Sequence, residues 1–100
     1  MTYKIGDIVT VEYSYTGNSE FYKVIKATPK SIVIRKLEDN FESSDGGYNQ
    51  EGYVSPSDRF DTRDTREYRK FYNPENGHFK FDNYSYGRPY NGGKGYYRAL

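Results

Sequence analysis

The chain has no cysteine and no tryptophan, one histidine, one methionine and four prolines in 100 residues. Without cysteine there is no disulfide, no thiolate nucleophile and no thiolate metal site. A single histidine, His78, leaves general acid–base chemistry without a second imidazole. It falls just after a turn, where it reads as a surface hairpin residue without a positioned partner. No apolar run approaches the length needed to cross a bilayer as a helix. The opening MTYKIGDIVTVEY lacks the apolar stretch of a secretory signal. The expectation is a cytoplasmic protein that is not an enzyme, needs no cofactor or metal and has no membrane partner. No segment carries a helical period, and no internal repeat is present.

Tyrosine is abundant, with 13 among 19% aromatic residues. Its apolar ring and polar tip suit both half-buried sheet positions and binding surfaces. Charge is nearly balanced overall, at +1, but unevenly placed. Residues 1–36 sum to +3, residues 37–64 to −6 and residues 65–100 to +4. An acidic middle between basic ends bears on partners rather than on fold.

In IVTVEYSY, Val9, Val11, Tyr13 and Tyr15 alternate with Ile8, Thr10, Glu12 and Ser14, the period-two pattern of a half-buried strand. TGNS (16–19) reads as a hairpin loop, EFYKVIKAT as a second strand, TPKS as a turn and SIVIRKL as a third strand. Residues 1–37 are thus expected to form a three-stranded meander. Residues 38–52, rich in Asp, Glu, Ser, Asn and Gly, read as a long acidic loop. In 53–84, GYVSP reads as a short strand ending before Pro56, SDRFDTRDT as loop or a single helical turn, REYRKFY and HFKFDNY as a hairpin around NPENG. Residues 85–100 read as an irregular Gly/Tyr-rich tail. The whole is read as one all-β domain, a small SH3-like barrel or a strongly bent antiparallel sheet of about five to six strands.

Gly6-Asp7-Ile8, Tyr13 and Tyr15, Phe21-Tyr22-x-Val24, Ile32-x-Ile34-Arg35 and the closing Tyr90-Asn91-Gly92 and Tyr96-Tyr97 resemble a loose group of small, uncharacterised phage, plasmid and bacterial proteins. These share a GDI…FYxV…VxR β-meander start, SH3-like in character, and the similarity covers most of the chain. Where the group tends to carry Trp-Gly-Tyr before the FYxV strand, this chain has Ser14-Tyr15-Thr16. The resemblance implies an accessory protein of a phage or mobile element and transfers no activity and no catalytic residue.

Candidate chemistry narrows to binding. GGKG at 92–95 lacks the spacing and hydroxyl of a phosphate-binding Walker loop. Asp58, Asp61 and Asp64 recur every third residue, but interleaved Arg59, Arg63 and Arg66 make them a mutually paired, solvated charge cluster rather than a metal site. Phe71, Phe79 and Phe81 read as core of the second half. Cations interleaved with rings suit nucleic acid or a nucleotide, the rings stacking bases and the cations meeting phosphate. The candidate ligand residues are Arg66, Lys70, Tyr84, Tyr86, Arg88, Tyr90, Lys94, Tyr96, Tyr97 and Arg98. The alternative is an inhibitor of a host defence or nucleic-acid enzyme. It would bind that host protein through an aromatic surface or through Glu38, Asp39, Glu42, Asp45 and Glu51 of the acidic loop. Exposed tyrosines would also suit contacts between copies of the chain in a homo-oligomer or assembly component.

Overall fold

The computed structural model describes residues 1–44 and 51–98. Its elements are all strands: β1 (Ile8–Tyr13), β2 (Ser19–Ala27), β3 (Ser31–Ser43), β4 (Glu51–Phe60), β5 (Glu67–Phe71), β6 (Phe79–Asp82), β7 (Ser85–Pro89) and β8 (Gly95–Arg98). The all-β expectation and the β1–β2–β3 meander are observed. Every strand pairing is antiparallel, in the order β6-β7-β1-β2-β3-β4-β8, with β5 also on β3. Among the described residues no helix is long and apolar enough to cross a membrane.

The alternation read in β1 and β2 sorts side chains onto two faces. Val9, Val11, Tyr22 and Val24 join Tyr3, Ile32, Ile34, Tyr72 and Phe79 in one core. Phe21, Leu37 and Val54 form a second core with Ile8, Phe60, Tyr90 and Tyr97 packed against it. β2 therefore carries a core on each face. Tyr3 caps the first core, edge-on to Tyr72 at 4.8 Å and donating its hydroxyl to Gly77 O at 2.5 Å.

Several expectations need correction. Residues 38–43 and 51–52 are not a loop: β3 runs on to Ser43 and pairs with β4, from Leu37 opposite Phe60 to Ser43 opposite Gly52. Asp45 and the rest of 45–50 lie outside the described residues. β4 does not end before Pro56, and residues 57–60 are strand rather than helical turn; Pro56 sits beside the register shift between Leu37 and Asp39, where a missing amide hydrogen is tolerated. The tail is not irregular: β7 pairs with β1, Val9 facing Pro89 and Tyr13 facing Ser85, while β8 pairs with β4. Phe71 is not core but 73% exposed, whereas Phe79 is buried and Phe81 packs against the first core.

The sheet does not close by backbone pairing. β4 and β5 lie end to end along β3, since Leu37 faces Phe60 and Arg35 faces Glu67. The edges β5 and β6 then meet through side chains. Lys70 Nζ donates to Phe81 O at 2.5 Å, and the Tyr68 and Phe81 rings lie 5.1 Å apart.

Candidate ligand-binding cleft

The seam between β5 and β6 opens into a cleft of about 500 Å³ lined by Tyr13, Glu20, Tyr22, Lys36, Asp64, Arg66, Tyr68, Lys70, Phe81 and Asp82. That size suits a small ligand. Its lining follows from strand periodicity. Each strand sends alternate side chains inward. Where the apolar run ends, the next inward residue is polar or aromatic: Tyr13 after Val9 and Val11, Lys36 after Ile32 and Ile34, Glu20 before Tyr22. On β5, Tyr68 and Lys70 face inward opposite Ile34 and Ile32. The cleft is thus the polar end of the first core.

Its carboxylates are engaged by the protein. Glu20 Oε2 accepts the hydroxyls of Tyr13 and Tyr22, each at 3.2 Å, and Oε1 accepts Lys36 Nζ at 3.3 Å. Asp64 accepts Arg66 through its backbone N (3.2 Å), Nε (3.1 Å) and Nη2 (3.3 Å), and the Tyr68 hydroxyl at 3.1 Å. Asp82 Oδ1 accepts Tyr84 N at 2.8 Å and Ser85 Oγ at 2.7 Å. The Arg66 bonds hold the Asp64 carboxyl below its ordinary pKa, and the Ser85 hydroxyl does the same for Asp82. Burial, then the charge of Glu20, pushes the Tyr13 and Tyr22 hydroxyls up, so both remain neutral donors. Tyr68 is raised by burial and by its bond to Asp64.

The cations are not saturated. An ammonium has three N–H donors and a guanidinium five. Lys36 donates to Glu20 and Lys70 to Phe81 O, while Arg66 uses Nε and Nη2 on Asp64. Arg66 also lies over the Tyr68 ring at 5.3 Å and Lys70 over Phe81 at 4.7 Å. Beyond Glu20 and Lys36 a second recess of about 340 Å³ continues toward Asp39, Arg63 and Tyr97.

Of the residues expected from sequence to bind a ligand, the structure brings only Arg66 and Lys70 into this cleft. Tyr84 sits at the exposed β6–β7 turn, its carbonyl accepting Ser14 N. Tyr86 is exposed on β7 and Arg88 pairs with Glu12 at 2.7 Å. Tyr90 packs edge-on against Phe21 at 5.5 Å, and Tyr97 against Phe41 at 5.5 Å. Tyr96 points to the opposite face of β8 from Tyr97, and Lys94 is paired with Glu42. Arg98 lies on β8 opposite Glu51. The tail residues thus spread over several faces and form no single platform, because β7 and β8 join different strands.

The acidic set is also dispersed. Glu38 pairs with Arg59 at 2.8 Å, Glu42 with Lys94, Glu51 opens β4, and Asp39 lines the second recess. Asp61 is not a solvated charge but buried, accepting Arg63 N at 2.7 Å and Asp64 N at 3.3 Å. Among the described residues no group of acids or histidine could hold a metal ion. Sequence reasoning missed Tyr13, Glu20 and Lys36, although each continues an inward period-two run past its apolar residues. No family model, curated protein or solved structure matches this chain.

Proposed function

We propose that the protein is a binding module for a small phosphate-bearing ligand of the nucleotide class, held in the β5–β6 cleft. The observation that carries this reading is the imbalance of hydrogen-bonding capacity. Asp64 accepts four bonds from the protein, Glu20 three and Asp82 two, whereas Lys36 and Lys70 each use one of three donors and Arg66 two of five. Spare donors among aromatic rings favour an acceptor-rich ligand with a planar part. The volume favours one nucleotide over a polymer.

Calorimetric titration with a mononucleotide, its nucleoside and inorganic phosphate tests this. The mononucleotide should bind best and the nucleoside worst. Arg66→Ala and Lys70→Met should each weaken binding about ten- to a hundred-fold, the range for a charge-assisted hydrogen bond of about 1.5–3 kcal/mol. Equal binding by the variants, or none by any phosphate compound, would overturn it. A second reading, a protein-binding surface, has the exposed, cross-strand rings of Tyr53 and Tyr96 in its favour.

A further inference from the structure

One face of β2, β3 and β5 gathers four cations that have no carboxylate partner among the described residues. Tyr22, Val24, Ile32, Ile34 and Tyr68 face the first core. Their neighbours face the other side of the sheet, where Phe21 and Leu37 join the second core and the cations lie beyond it. Cross-strand rows on this face read Lys23–Arg35–Glu67, then Lys26–Val33–Arg69, then Ser31–Phe71. Six other cations, Lys36, Arg59, Arg63, Arg66, Arg88 and Lys94, each lie within 4.0 Å of a carboxylate, whereas Lys4, Lys30, Lys70 and Lys80 are scattered singly elsewhere. Lys23, Lys26, Arg35 and Arg69 make no such pair among the described residues. The acids facing them are Glu67, opposite Arg35 at the end of its row, and Asp58, which shares a shallow recess with Lys23.

Two features mark this face as more than a solvated surface. Lys23 and Arg35 stand directly opposite each other, a like-charge placement that destabilises a ladder. Arg35 Nε is buried with no hydrogen-bond partner, its guanidinium lying 4.5 Å over the Phe60 ring. Beside Arg69, two residues along and on the same face, Phe71 leaves 73% of its surface in water. An unmatched cationic row with one bare ring has the chemistry that single-stranded nucleic acid requires: phosphate neutralisation plus a stacking platform.

We propose that this outer face binds the backbone of single-stranded nucleic acid, with Lys23, Lys26, Arg35 and Arg69 on phosphates and Phe71 against a base. The face is independent of the cleft, which opens from the opposite side of β3 and β5. Fluorescence anisotropy with a labelled oligothymidylate of about 12 nucleotides reads it directly. Four phosphate contacts on a single strand give a log–log salt slope of about −2.8, or about a 50-fold loss of affinity between about 50 and 200 mM salt. The double variant Lys26→Gln, Arg69→Gln, both exposed side chains, should halve that slope and cut the loss to about seven-fold. Phe71→Ser should weaken binding with the slope unchanged. Arg66→Ala should leave oligonucleotide binding intact, so failure here and failure of the nucleotide reading are separable. Salt-insensitive binding, an unchanged slope in the double variant, or equal affinity for a polyglutamate of matched charge would overturn the proposal.

Discussion

Gly87 faces Phe79 across the β6–β7 ladder, and a methyl group on its α-carbon would stand 2.1 Å from Phe79 Cζ. The ring is buried and has nowhere to retreat, so Gly87→Ala should cost about 1–3 kcal/mol by overpacking. Urea unfolding reads this. Phe79→Leu in the same chain should be less than additive with it, because the clash disappears with the ring; additive losses would mean the strain lies elsewhere. Asp39 makes a different kind of residue-scale case. Crowding by protein atoms pushes its carboxyl from 3.8 up to about 6, with Glu20 and Asp61 adding to the rise and Lys36 opposing it. Between those values the folded protein holds a proton that the unfolded chain has released. Stability from this group is therefore present at low pH and falls as pH rises through about 6. Asp39 is an exposed residue of β3, so water reduces the size of the effect but not its sign. Asp39→Asn should flatten urea midpoints across that window and exceed the parent at neutral pH; a variant that tracks the parent would refute the assignment. Neither residue announces itself in the sequence. Gly87 looks like a breaker until Phe79 is seen over it, and Asp39 looks like a loop acid.

At the scale of elements, what could be read depended on what supplies the pairing. β1, β2 and the first half of β3 have a protein face on each side or a clear alternation, so Ile8–Tyr13 and Ser31–Leu37 were legible. The second half of β3, with Glu38, Asn40 and Glu42 turned away from Leu37 and Phe41, is a strand because β4 pairs with it, not because of an apolar run. β7 and β8 hold glycine and proline, and only their registers with β1 and β4 make them strands. The candidate cleft was legible in part for the same reason. Arg66 and Lys70 sit together in sequence, whereas Tyr13, Glu20 and Lys36 reach the cleft from three other strands. The join between β4 and β5 depends on Asp61, whose buried Oδ1 accepts Arg63 N and Asp64 N. Asp61→Ala leaves those amides without their acceptor and should cost about 1–3 kcal/mol in thermal or urea unfolding. Asp61→Asn keeps an oxygen at that position and should recover most of the loss. If Asn were as harmful as Ala, the charge beside Lys36, 3.9 Å away, would be the larger contribution.

For the whole molecule, the decisive feature is that β2 is shared. Phe21 faces the second core while Tyr22 and Val24 face the first, so two clusters are tied through one backbone. A small barrel has one interior. Here the length of β3 carries the chain past the first core and allows β4 and β8 to build a second, which is why period-two reasoning found the class of fold and, as one alternative, a bent open sheet, but not its eight strands or its two cores. Shared strands predict shared unfolding. If the cores are one cooperative unit, a lesion in the second must lower the opening free energy of the first. Phe21→Leu removes ring volume from the second core alone and leaves the cleft chemistry untouched. Native-state hydrogen exchange should then show amides of β1 and β7, beside the first core, losing protection by the same factor as those of β4 and β8. A loss confined to β4 and β8 would instead divide the sheet into two independently opening parts. That division would place the β5–β6 cleft on the first part and leave Arg35, stacked on Phe60 of β4, at the boundary between the two.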